Sequence, residues 1–177
     1  MRPTIPVYLV VDCSASMHGA PLEAAREAVA ALLQLLRGGT MGDASGYGVK
    51  LVTVETHPSL TTAFEPLGAF QLPRLTAGGL SPIGVALKLV YDDLAGASTS
   101  TPRQPRPLIC LFTDGDATDP DLALDERAAR FPHAPRLLII VCGTAETNQS
   151  YPNQWPSRVL NSARLTEDQL RRALLTD

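Results

Sequence analysis

The sequence predicts a doubly wound α/β domain, a mostly parallel central sheet flanked by helices with one short antiparallel edge strand. Two observations carry that expectation. Short continuous apolar runs at 7–11, 108–112 and 137–141 each stop at a polar or small residue, as central parallel strands covered on both faces do. Between them stand segments with apolar residues at three- and four-residue spacing, the pattern of helices that cross over such strands. At 177 residues the chain suits one domain, taken as 1–177.

The first strand is Val7-Tyr8-Leu9-Val10-Val11, ending at Asp12. Over 21–36, Leu22, Ala25, Val29, Leu32, Leu33 and Leu36 make a helical stripe, with Pro21 tolerated in the first turn and Gly38-Gly39 past the end. Residues 38–48 read as a loop, and 49–56 carry the β-branched content of a strand. Across the His57-Pro58-Ser59 turn, 60–64 is the expected antiparallel edge partner. Pro66, Pro73 and several glycines make 65–79 a long surface connection. Ile83, Leu87, Val90 and Leu94 then share one face of a helix over 83–94, and 95–107 is an exposed loop. Helices are expected over 120–131 and 166–175, the second capped by Thr166 with Gln169 completing a capping box. The stretch 148–157, with Tyr151 and Trp155, has no periodicity that assigns it an element.

Composition removes several classes of function. Apolar residues at 45% and charged residues at 19% are ordinary globular values, so neither disorder nor a fibrous repeat is expected. A net charge of -3 with no basic run argues against nucleic acid, and Lys50 and Lys88 are the only lysines. The apolar runs fall far short of the roughly 20 residues a membrane helix needs. No leader pattern opens the chain, and Cys13, Cys110 and Cys142 are an odd number. A reduced, cytoplasmic setting is the expectation.

The residues that carry chemistry lie where doubly wound sheets collect ligands, beyond the carboxyl ends of the strands. Asp12-Cys13-Ser14-Ala15-Ser16 projects three oxygen-bearing side chains from one turn after the first strand. Ser81, after Gly78-Gly79-Leu80, opens the middle helix, and Asp114 in Thr113-Asp114-Gly115 ends another strand. Five oxygens from three segments suit a hard cation, magnesium first, with calcium or manganese as alternatives. Two carboxylates and small hydroxyls would cage it incompletely and leave a coordination position open. Asp-x-Ser-x-Ser alone arises in about 4% of random chains of this length, so its weight comes from the company of Ser81 and Asp114.

This arrangement resembles the metal-ion-dependent adhesion site of the von Willebrand factor A family, which reads Asp-x-Ser-x-Ser, then a Thr, then an Asp. Asp12, Ser14, Ser16 and Asp114 match it, and Ser81 stands where the family has Thr, in register with Gly84 and Ala86-Leu87. The hydroxyl is kept, while the lost methyl leaves its rotamer less restricted. The resemblance spans nearly the whole chain and extends to the bacterial TerY-like group linked to tellurium resistance and stress responses. Its carriers are residues 6–12, 75–79 before Ser81, and 111–119. It implies a non-catalytic protein-binding module whose cation takes a carboxylate from a partner, with a protein kinase or phosphatase as the implied partner. Met17, His18, Leu80 and Asp116 are expected to form the rim that reads the partner's shape.

Plainer roles compete for the same residues. Asp and Ser at a strand-to-helix turn satisfy local backbone donors, and Ser81 at a helix start is a ready cap. Asp116 and Asp119 fit turn and cap roles better than a second ion site. His18, His57 and His133 form no triad, and Cys13 lacks an activating histidine, so it is expected to be a packed thiol. An aspartate-nucleophile phosphotransferase built on Asp12 would need a second Asp where Ser14 stands, and a lysine nearby. A dinucleotide-binding domain would need a G-x-G-x-x-G after the first strand, which is missing. A metal-free scaffold is the remaining alternative.

Overall fold

The computed structural model describes residues 5–39, 46–97, 106–115, 117–119, 135–143 and 157–175. Its elements in order are β1 (Ile5–Asp12), α1 (Ala20–Arg37), β2 (Tyr47–Val54), β3 (Ser59–Leu60), β4 (Glu65–Pro66), α2 (Ile83–Ala97), β5 (Leu108–Thr113), β6 (Arg136–Val141), β7 (Ser157–Asn161) and α3 (Glu167–Leu175). One sheet runs β3-β2-β1-β5-β6-β7, and β4 pairs β2 beside β3. The β2-β1-β5-β6-β7 pairings are parallel. The antiparallel edge is present as two two-residue pieces on β2.

The continuous apolar run of β1 follows from burial on both faces. Val7, Leu9 and Val11 pack in the cluster that holds α1 and α3, while Tyr8 and Val10 pack in the cluster that holds α2. A strand alternates its side chains, so a strand with helices on both sides must be apolar at every position. α1 buries Leu22, Ala25, Val29, Leu32, Leu33 and Leu36 along one stripe, each large side chain contributing about 1.5–3 kcal/mol. It stops because Gly39 takes φ +78°, a left-handed turn that favours glycine. α3 begins with the expected reciprocal cap: Thr166 N donates to Gln169 Oε1 at 3.0 Å, and Gln169 N donates to Thr166 Oγ1 at 3.2 Å.

Three features depart from the sequence expectation. The 65–79 connection is anchored in the core, with Leu67, Phe70 and Leu75 buried. Arg37 on α1 donates to the Leu67 and Phe70 carbonyls, and Arg26 donates to the Leu75 carbonyl, satisfying backbone acceptors that irregular chain would otherwise leave unpaired. α2 runs on through Ala97, into the segment expected to be loop. β7, in a stretch that extends the unassigned 148–157, adds an edge strand beside β6. The expected helix over 120–131, most of the 38–48 and 95–107 loops, and Asp116 lie outside the described residues.

The order of strands places the site. From β1 the chain crosses by α1 to β2 on one side, then returns over β1 by α2 to β5 on the other. The direction of winding reverses between β1 and β5, so their loops diverge and leave a crevice beyond their carboxyl ends.

Candidate metal centre

All but one of the buried polar or charged residues among those described gather at that crevice: Asp12, Ser14, Ser81, Thr113 and Asp114, with Lys50 the exception. Asp12 is the hub and is wholly buried. Its Oδ1 accepts from Ser14 N at 2.9 Å, and its Oδ2 accepts from Ser81 Oγ at 2.9 Å and Thr113 Oγ1 at 2.8 Å. Ser14 Oγ lies 3.1 Å from Ser16 Oγ. Burial raises the Asp12 pKa above the usual carboxylate range, and the hydrogen bonds from Ser14, Thr113 and Ser81 oppose that rise.

Backbone hydrogen bonds hold the three loops together. Ala15 N donates to Gly79 O at 3.1 Å, Gly78 N to Cys13 O at 2.7 Å, and Cys13 N to Val54 O at 2.8 Å. Gly79 has φ +76°, and a Cβ there would collide with Thr56 Oγ1 and come within 3.0 Å of Thr56 N. A glycine is therefore required where the strap before Ser81 crosses the end of β2.

The donor set fits a hard cation. Magnesium ligands at about 2.1 Å stand about 3.0 Å apart when adjacent on an octahedron, close to the Ser14 to Ser16 separation of 3.1 Å. Ser81 spends its proton on Asp12, which leaves its oxygen lone pairs for an ion. Ser16 is exposed while Ser14 is buried, so the set opens outward to solvent. Among the described residues no three His, Cys, Asp or Glu side chains form a metal-holding group, so any ion here would rest largely on hydroxyls.

The structure thus brings Asp12, Ser14, Ser16 and Ser81 into one hydrogen-bonded set, with buried Asp114 next in chain to Thr113. Ser81 directs its hydroxyl to Asp12, so the capping role weighed for it falls elsewhere. Asp119 takes that role: Oδ1 accepts from Gly84 N and Oδ2 from Val85 N, each at 2.9 Å. It caps α2, while the helix expected to follow it lies outside the described residues.

Thr113 was not among the expected site residues. The available signal was a second hydroxyl at a strand end, beside Asp114 in Thr-Asp-Gly. Of the expected rim, Leu80 is 57% exposed and His18 is exposed. Met17 is a correction. It is wholly buried in the core on the α1 side, because the short 3-10 turn Ala15–Met17 rotates it inward while Ser16 faces out. Cys13 is packed as expected, its thiol pushed up to about 12 by burial, then by the Asp12 and Glu55 charges.

The sequence matches the von Willebrand factor type A domain family over residues 7–157, and the chain belongs to that family of protein-interaction modules. The VWA domain of SpRpn10 is similar in fold, with TM-score 0.59 and 13% identity over 94% of this chain and 93% of that one. BatB of Bacteroides thetaiotaomicron gives TM-score 0.60 and 13% identity over 96% and 97%. The chain also matches a three-domain fragment of the type V pilus tip protein Mfa5 of Porphyromonas gingivalis, spanning 20% of that chain and 65% of this one at 22% identity and TM-score 0.45. The sequence has no match among curated proteins. Among the described residues no helix is long and apolar enough to cross a membrane.

Proposed function

We propose that this chain is a metal-dependent protein-binding module and not an enzyme. A divalent cation, magnesium first, is held by Ser14, Ser16 and Ser81, with Asp12 and Asp114 bonding it directly or through water. Its open position takes a carboxylate from a partner protein. The observation that carries this reading is Asp12, a buried carboxylate whose hydrogen-bond donors among the described residues are backbone and hydroxyl groups of Ser14, Ser81 and Thr113, all neutral. A buried charge held only by neutral groups is costly, and a cation over the same hydroxyls offsets that cost. The two lysines that phosphoryl chemistry would call on are engaged elsewhere, Lys50 with Asp93 and Lys88 with Asp92.

Exposed Leu80 and His18 border the ion and read the partner's shape. We extend the reading, on resemblance to the TerY-like group, to a cytoplasmic stress or tellurium-resistance system with a protein kinase or phosphatase as partner. The test is capture of partner from native extract by wild type and by Asp114→Ala combined with Ser14→Ala, each with and without chelator. Recovery only by wild type with cation is expected. Equal recovery in all four samples overturns the metal edge as the binding surface.

A further inference from the structure

A helix begins with backbone amides that have no carbonyl one turn back, and a hydroxyl just before the helix is the usual acceptor for the third of them. Before α2, Ser81 stands two residues ahead of Ile83 and three ahead of Gly84, the cap-to-amide spacing at which its hydroxyl could accept from Gly84 N. Ser81 gives its proton to Asp12, and its oxygen lone pairs are then open to two rival claims, the Gly84 amide and an ion. The Gly84 amide is taken by Asp119 Oδ1 at 2.9 Å, with Val85 N on Oδ2 at 2.9 Å. The preceding residue adds a second tie, Thr118 N donating to Ser81 O at 2.8 Å. The loop that carries Asp114 is thus fastened to the segment that carries Ser81.

We infer that Asp119 is a positioning residue for the cation site, capping α2 so that Ser81 is left to serve the ion, and tying the Ser81 and Asp114 loops together. The inference rests on the function proposed above. Without Asp119, the Gly84 amide recruits a lone pair of Ser81 Oγ and draws the oxygen toward the helix, and the site loses a ligand while every ligand residue remains in the sequence.

The test measures magnesium binding by titration calorimetry on the full chain, for wild type, Asp119→Ala and Asp119→Asn, with thermal unfolding in chelator alongside. Leu170→Ala on α3, a buried position in the other core cluster, serves as a control that loses stability without touching the clamp. Residues behind metal ligands typically set affinity by about 10- to 100-fold, so Asp119→Ala is expected to weaken binding about tenfold or more. Asp119→Asn falls between, because its single carboxamide oxygen replaces a carboxylate that accepts two amides, and it is read alone if the alanine variant fails to fold. Leu170→Ala keeps the wild-type affinity. Asp119 variants that lose stability yet bind magnesium as wild type does overturn the inference alone, leaving Asp119 a simple cap. A wild type that takes up no magnesium overturns the proposed function, and this inference with it.

Discussion

Asp93 and Asp12 both hydrogen-bond to side chains of the central sheet, and they are balanced in different ways. Asp93, on α2, takes Lys50 Nζ at 2.8 Å on each oxygen and the Tyr8 hydroxyl at 2.6 Å, and Phe64 lies 4.7 Å from the ammonium. Its charge is answered within the chain, and Tyr8 and Lys50 are register partners on β1 and β2. Asp12, at the carboxyl end of β1, is buried more deeply and has neutral donors, backbone and hydroxyl groups of Ser14, Ser81 and Thr113. The first cluster is electrically closed and can only hold the fold together. The second, among the described residues, is satisfied in hydrogen bonds but not in charge, which favours recruiting a cation.

The comparison breaks most visibly at Lys50. Lys50→Met leaves Asp93 without its counter-charge and is expected to cost about 3 kcal/mol in denaturant unfolding, while magnesium affinity stays at the wild-type value. A variant that loses cation binding instead would merge the two clusters. Asp12→Asn is the mirror image: magnesium binding should fall by about a hundredfold, or about 2.8 kcal/mol, since each tenfold is about 1.4 kcal/mol. Stability in chelator should change little, because the carboxamide oxygen still accepts from Ser14 N, its NH2 can donate to the Ser81 and Thr113 hydroxyls once their protons turn, and no buried charge remains.

Cation removal sharpens the contrast further. A native-only ligand at ten times its Kd adds about 1.4 kcal/mol, so chelation should lower the wild-type melting temperature by a few degrees and leave circular dichroism at low temperature unchanged. Complete unfolding in chelator would make the site structural. The smallest effect is expected at Tyr8. Burial first, and then Asp93, raises its pKa above the ordinary 10.0. The fold thus favours the protonated phenol, and the associated stability is complete below pH 10 and is lost as pH climbs above it. Tyr8→Phe should cost about 1 kcal/mol at neutral pH and flatten the alkaline decline, as measured by urea unfolding at successive pH values. An unchanged decline would place its cause outside this cluster.

Much of this was legible beforehand where one short segment carries the whole signal. The apolar runs of β1, β5 and β6 and the stripe of α1 appear in the sequence because each residue's burial follows from its own position in a strand or helix period. Asp12, Ser14 and Ser16 were likewise readable as one turn. β7 was not, because Ser-Arg-Val-Leu-Asn is short and polar at its ends and becomes a strand by pairing with β6. The inward turn of Met17 was hidden for a related reason: a single 3-10 turn decides which neighbour faces the core.

By itself the sequence determined the α/β alternation, the capping box at Thr166 and Gln169, and the kinds of oxygen donor at the strand ends. These depend on residues within a few positions of one another, where chain geometry leaves little freedom. Only the tertiary structure decided which partner each polar group takes. Ser81 and Thr113 reach Asp12 across 69 and 101 residues, Asp119 caps a helix 35 residues before it, and Lys50 finds Asp93 43 residues on. Ser81 and Asp119 each have a local cap role on paper, at the start of α2 and of the helix expected over 120–131. The choice between local and distant partners is made by the packed sheet, which excludes water and leaves every buried donor and acceptor only the neighbours that the fold supplies.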